Sequence, residues 1–266
     1  GFADGFDKAQ QDVVVNAFLT TYLNKSLSDV KLNNRPSFPL PNWRVNYNGL
    51  SNILGLEDII PNIDINHMYQ SQYVIGGYTS VLRYQEQNGI PTERDINENF
   101  LPKNQYSQIT LVDRFVPLIG VDVRLANSMS INSEYRKTRD MNMSLQNSQM
   151  SMMTEESIVF GMGYRKANVK LPFGLFEDKK WTNDMNFKVD FALNDRKTTV
   201  YRSDINEAEV SGGNKNISIN PSLDYTINQF YNVRIFYNSN AVRPYTSQNY
   251  ATSYTYFGFN ISILFQ

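Results

Sequence analysis

Alternation with a period of two constrains this chain more than any other feature. The closing segment shows it most plainly. Phe257 to Gln266 reads FGFNISILFQ, with Phe257, Phe259, Ile261, Ile263 and Phe265 on one side. Gly258, Asn260, Ser262 and Gln266 fall on the other side, with Leu264 as the exception. Successive side chains of a strand point to opposite faces, so the pattern specifies a strand with one apolar and one polar face. A continuous, aromatic-rich apolar face fits the lipid side of an outer-membrane β-barrel strand, whose other side borders an aqueous lumen. An edge strand of a soluble sandwich fits equally well, so the rest of the chain has to decide.

The same pattern recurs upstream. Trp43, Val45 and Tyr47 alternate with Arg44, Asn46 and Asn48. Ile63, Ile65 and Tyr69 oppose Asp64, Asn66 and Gln70 in a stretch from Asn62 to about Tyr84, where Gly76–Gly77 reads as a bulge or kink. Strand character returns from about Gln105 to Leu125, with a bend expected at Pro117, and resumes after a tight turn at Ala126–Asn127. Met129, Ile131 and Tyr135 then oppose Ser130, Asn132, Glu134 and Arg136, and Ile158, Phe160, Met162 and Tyr164 oppose Gly161, Gly163 and Arg165. Met185, Phe187, Val189, Phe191 and Leu193 oppose Asn186, Lys188, Asp190, Ala192 and Asn194. Ile217, Ile219, Leu223 and Tyr225 oppose Ser218, Asn220, Ser222 and Asp224, with a bulge expected at Pro221 because proline cannot donate to the ladder. Val233, Ile235 and Tyr237 oppose Asn232, Arg234 and Asn238. This makes about nine antiparallel strands over residues 43–266, several longer than the ~5–6 residues usual in globular sheets and suited to the ~9–11 that span a bilayer.

Polar segments at 85–104, 146–155 and 204–215 read as long loops, 172–184 as an intermediate connection, and the segments near 127 and 229 as short turns. With the C-terminus on the periplasmic side, the longer connections come out external, as in outer-membrane barrels. An odd strand number is foreign to bacterial single-chain barrels. The expectation is therefore a segment of a larger barrel. The chain starts at Gly1 without Met or an apolar leader, so the reading expects a removed leader or a piece of a longer protein.

Residues 1–42 differ. FDKAQQDVVVNAFLTTYLNK (6–25) repeats Val14, Phe18, Tyr22 and Val15, Leu19, Leu23 at three- and four-residue spacing, predicting a helix capped by Asp7 with one apolar face. A connector holding Pro36, Pro39 and Pro41 follows. The helix and connector are expected to pack in the barrel lumen or at its rim. Residues 50–60 (LSNILGLEDII) predict a short buried turn or helix.

Composition narrows the chemistry. No window holds the roughly 18 consecutive apolar residues of a membrane-spanning helix, which excludes a helical membrane protein but not a barrel. The absence of cysteine removes disulfides, thiolate catalysis and Cys-ligated metals. A net charge of −1 gives no field calling for nucleic acid. The 17 Tyr and 16 Phe suit the aromatic girdles of a barrel as well as a sandwich core. The one histidine, His67, lies on an apolar face between Ile65 and Tyr69 and reads as structural rather than catalytic. Gly161-Met162-Gly163 lacks the third glycine and the following helix of a dinucleotide fingerprint. No constellation for acid–base or nucleophilic catalysis emerges, so no enzyme, metal or cofactor is expected. Charges on the polar faces, Glu134, Arg136, Lys188, Asp190, Asp224 and Arg234, are the candidates for a hydrated lumen lining. The apolar side of the last strand, Phe257, Phe259, Ile261, Ile263 and Phe265, is the candidate lipid-facing surface.

Several segments carry a family resemblance: QDVVVNAFLTTYL, PLPNWRVNYNGL (39–50), RFVPLIGVDV (114–123), SEYRKTRDMNMSLQNSQM (133–150), GYRKANVKLPFG (163–174) and RPYTSQNYATSYTYFGFNISI (243–263). Together they resemble the C-terminal part of the SprA/Sov family, the outer-membrane translocon of the Bacteroidetes type IX secretion system. The resemblance implies an all-β, antiparallel transmembrane barrel of very large size, located in the outer membrane. It implies a protein-conducting pore for folded clients bearing a C-terminal signal. It also implies partners: the remainder of the same barrel, a PorV-type barrel, a periplasmic plug protein, the secreted clients and outer-membrane lipid. The rival expectations are a self-contained small porin or ligand-binding barrel, and a soluble β-sandwich binding module.

Overall fold

The computed structural model describes residues 4–8, 10–23, 41–147, 149–169, 183–202, 207–227 and 230–264. Nine strands join one sheet in the order in which the chain runs. They are β1 (Trp43–Tyr47), β2 (Asn62–Gly76), β3 (Gln108–Arg124), β4 (Met129–Ser144), β5 (Gln149–Lys166), β6 (Asp184–Arg202), β7 (Glu207–Thr226), β8 (Tyr231–Pro244) and β9 (Thr252–Ile263). Every neighbouring pair is antiparallel. This meander follows from connections such as 125–128, too short for the crossover that a parallel pair needs. β1 and β9 each have one neighbour, so the sheet is open among the described residues.

Two segments expected as loops are strand. Residues 149–155 continue β5, and 207–215 open β7. Their polar residues sit on both faces, which hid the alternation. The backbone ladder does not depend on side-chain polarity, and residues 149–155 pair in unbroken register with β4 and β6. The length alternation built on those loops therefore does not hold. Connections 145–148 and 203–206 are as short as 125–128 at the opposite end, where 167–183 is long. What differs between the two ends is the overhang of the strands, described below.

The expected bulge at Pro221 is also absent. Val189 pairs with Pro221 in continuous register, and Ile219–Ser239 and Ser222–Phe236 keep one register on the other side. The irregularity of β7 lies instead opposite Thr198/Thr199, near Gly212 and Gly213. Gly213 has φ +120°, a conformation that L side chains rarely adopt. Gly76 ends β2, and Gly77, at φ +61°, starts the connection. Around Pro117 the register of β3 jumps against both neighbours, between Asn66 and Tyr69 on β2 and between Phe115 and Ile119 on β3 itself. Two extra residues enter β3 there relative to each neighbour: Phe115 faces Lys137 and Ile119 faces Tyr135. An even insertion leaves each side chain on its face, because the side-chain period is two.

Helix α1 spans Gln11–Leu23. Asp7 does not cap it. The Asp7 carboxylate accepts from the adjacent Lys8 N–H, and the Asp7 carbonyl accepts from Gln10 N–H in a turn before the helix. Val15, Phe18 and Leu19 are buried against Ile109, Leu111, Met141 and Met143, and these form the main core. The side chains of Tyr22 and Leu23 and the proline connector up to residue 40 lie outside the described residues. So does most of the connection 172–184. The 77–107 connection wraps the helix start: Gln11 Nε2 donates to the Asn104 carbonyl at 2.8 Å, and Tyr106 N–H donates to Gln11 Oε1 at 2.7 Å. A second helix, α2 (Leu50–Leu54), ends at Gly55 in the left-handed conformation. It is not the buried element expected: Ile53 and Leu54 are exposed.

Candidate membrane-spanning surface

Directly paired residues of an antiparallel sheet share a face, so the registers assign every strand residue to one side. Starting from Phe257, Phe259, Ile261 and Ile263, pairing leads to Tyr237, Ile235, Val233 and Tyr231 on β8. It continues to Leu223 and Tyr225 on β7, and to Phe187 and Met185 on β6. From there it reaches Tyr164, Met162, Phe160 and Ile158 on β5, then Ile131 and Tyr135 on β4. It ends at Val121 and Val123 on β3, Ile63 and Ile65 on β2 and Tyr47 on β1. One apolar band thus crosses all nine strands on a single face. No second sheet covers it among the described residues. Phe257 is 70% exposed, Phe259 56%, Ile261 56% and Ile263 48%. Phe265 lies outside the described residues.

Glu134, Arg136, Lys188, Asp190, Asp224 and Arg234 all fall on the opposite face by the same registers. Four of them form two local pairs. Arg136 Nε donates to Glu134 Oε2 at 2.8 Å, and Arg234 Nε lies 3.7 Å from Asp224 Oδ1. Lys188 and Asp190 stand opposite Gly163 and Gly161. These are the glycines of the rejected nucleotide motif, and they have a packing use. A Cβ on Gly161 would lie 2.1 Å from Asn132 Oδ1, so the Asn132 amide fills the space that glycine leaves.

Along each strand the apolar band is finite. On β6 it runs from Met185 to Leu193, and the same face continues as Asp195 and Lys197. On β4 it gives way to Lys137 and Arg139, on β5 to Glu156, on β7 to Lys215 and on β8 to Arg243. A charged row therefore crosses the band's upper edge. Lys137 Nζ lies 2.8 Å from Glu156 Oε1, and Arg139 Nη2 lies 2.7 Å from Asp113 Oδ2. Tyr69 donates to the other Asp113 oxygen at 2.8 Å. Beyond the row lies a second apolar patch, made of Ile109, Leu111, Met141 and Met143 with Met150 and Met152, and α1 covers it. The helix is thus on the face of the apolar band, opposite to the face of the lumen candidates. At the other end the strands stop at or within one residue of the band, at Met129, Asp184, Tyr231 and Ile263. The overhang is one-sided.

His67 sits on the band's face in an aromatic group. Its ring centroid is 6.2 Å from Trp43 and 5.9 Å from Phe115, and Nδ1 is 2.6 Å from the Leu118 carbonyl oxygen, to which it donates. Sequence reasoning saw polar residues on both sides of β6 past Asp195 and the alternation of Met141 and Met143, but neither a charged row running across strands nor a patch covered by α1. A signal existed: continuing the two-residue count past Leu193 or before Ile217 places Asp195, Lys197 and Lys215 on the apolar side. No helix among the described residues is long and apolar enough to cross a membrane. No protein-family model matches the chain, and no curated protein matches it.

Proposed function

We propose that this sheet is part of the wall of a large outer-membrane β-barrel, and that the barrel is the protein-conducting pore of a type IX secretion system of the SprA/Sov kind. The observation that carries the membrane reading is the apolar band, continuous across nine strands, exposed over most of its length though Ile63 and Tyr225 are buried, and backed by a charged, Asn-rich face. On β6, Met185 to Leu193 covers about 27 Å along the strand at ~3.4 Å per residue. At a tilt of 35–45° that is roughly 20 Å of depth, close to the ~25 Å band of outer-membrane barrels. A soluble protein would expose this surface to water, and patches beyond a few hundred Å² are rare on monomers.

The open edges favour a larger barrel over a self-contained porin. β1 and β9 are not paired with each other, and an unpaired ladder in hydrocarbon costs several kcal/mol per orphaned backbone group. In this reading further strands complete the wall, and folded clients pass through a lumen lined by groups such as Glu134, Arg136, Lys188 and Asp190. Gating belongs to partners, a PorV-type barrel and a plug protein, as the family resemblance implies. The one-sided overhang of β4 to β7 points outward, in the place where other barrels have long loops.

These 266 residues contain no cysteine, so cysteines introduced here can be read in intact outer membranes on a full-length background in which any cysteine elsewhere is replaced by serine. Arg136→Cys and Asp190→Cys are expected to react with a water-soluble maleimide, while Val189→Cys and Phe259→Cys react only after detergent extraction. Equal labelling of both sets refutes the membrane reading. For the secretion function, Asn260→Pro removes a ladder donor from β9 and is expected to reduce export of clients with the C-terminal signal. Normal export with a demonstrably opened β8–β9 pair refutes that part.

A further inference from the structure

We infer that Lys197, Lys215 and Arg243 form a binding site for the phosphate of an anionic lipid headgroup in the outer leaflet. This rests on the membrane reading above and adds a specific ligand to it. The three cations lie on the face of the apolar band: Lys215 follows Ile217 by one side-chain repeat and Arg243 follows Ala241, while Lys197 lies one repeat farther out, past Asp195. One repeat is about 7 Å of strand, the depth at which a headgroup meets the acyl chains. Lys215 is paired directly with Arg243 across β7 and β8. Like charges so placed repel at Cβ separations of about 5 Å, unless an anion sits between them. Lys197 is paired with Gly213, which leaves the next position of the row without a side chain. All three cations are exposed, and none is ion-paired with a carboxylate among the described residues.

The acidic neighbours are accounted for. Asp195 is opposite Lys215 and accepts the Tyr245 hydroxyl at 2.5 Å. Glu156 is taken by Lys137 at 2.8 Å. Three cations thus share one carboxylate, Asp195, which leaves the cluster with an excess of positive charge, and long Lys and Arg side chains reach along apolar surface to a headgroup with ease. Charge-assisted hydrogen bonds to phosphate oxygens are the chemistry such a cluster offers.

The test uses the full-length protein in vesicles of phosphatidylcholine with a minor fraction of spin-labelled phosphatidylglycerol or spin-labelled phosphatidylcholine. The expected result is a preference of the motionally restricted lipid for the anionic label. Each of Lys197→Gln, Lys215→Gln and Arg243→Gln is expected to lower that preference about fivefold, from ~1 kcal/mol per basic residue near a membrane surface. The opposite-face variant Lys188→Gln/Arg234→Gln should leave it unchanged. Restricted lipid with no anionic preference, or a preference that survives the triple variant, overturns the site while leaving the membrane reading intact. Loss of the preference on adding inorganic phosphate at equal ionic strength assigns the cluster to a soluble anion and overturns the lipid assignment. Absence of any restricted lipid refutes the membrane reading itself.

Discussion

An arginine scan along one face of β6 tests the depth of the apolar band. Val189 lies midway between Met185 and Leu193, flanked by Met162 on β5 and Pro221 on β7. In a bilayer, Val189→Arg places a cation near the midplane, at a cost of about 2–4 kcal/mol, or roughly 30- to 900-fold in the folding equilibrium. Met185 and Leu193 lie about 13 Å away along the strand, which is roughly 10 Å of depth after tilt. Arginine there reaches the interface, and the cost falls to about 0–1 kcal/mol. Asp190→Arg, on the opposite face, should stay within about 0.5 kcal/mol. The assay is the temperature at which the full-length protein, extracted from membranes, loses its folded gel mobility, with the amount of membrane-integrated protein as a second readout. A profile peaked at Val189 is expected. Equal losses at Met185, Val189 and Leu193 would mean that burial rather than depth sets the cost, as in a protein core, and would refute the reasoning.

Other consequences follow from the packing. Leu19→Ala removes a side chain 1% exposed from the helix–sheet contact and should weaken docking of α1 by about 2–5 kcal/mol; limited proteolysis ahead of residue 41 should accelerate while the sheet stays intact. Asp113→Ala strips partners from both Tyr69 and Arg139 and should cost about 1–3 kcal/mol, read as a lower melting temperature. Gly213→Ala introduces a Cβ only 2.2 Å from the Arg196 carbonyl oxygen at φ +120°, and about 1–3 kcal/mol of strain should appear as faster amide exchange in the β6–β7 ladder. The Tyr84 hydroxyl donates to Glu86 at 2.7 Å, and this bond to a carboxylate pushes the phenol up to about 12. A raised folded pKa stabilises below the ordinary tyrosine value near 10 and loses that contribution as pH climbs toward 12. Glu86→Gln should return Tyr84 titration toward 10, and an unchanged titration would sink the assignment.

Strand identity and facing were legible in the sequence wherever one face is apolar, because alternation is a local property of an extended backbone. Met185 to Leu193 or Val233 to Tyr237 needs no neighbour to declare its two sides. Residues 149–155 and 207–215 were not legible, since both faces are polar there and only the ladder to adjacent strands makes them extended. The facing of α1 was half legible: Val15, Phe18 and Leu19 mark the apolar stripe, but nothing local says which surface receives it.

The amino-acid order alone was therefore enough to read a mainly β, antiparallel chain with about nine long strands, each with an apolar and a polar side, since period and turn spacing act within a few residues. Only the tertiary structure decided the registers, which bring distant charges such as Asp113 and Arg139 into contact and align the bands of separate strands into one belt. It also decided that α1 lies over Met141 and Met143 on the belt's own face. Those outcomes depend on pairings between residues far apart in the chain, where the geometry of the whole sheet, rather than any local preference, determines what meets what.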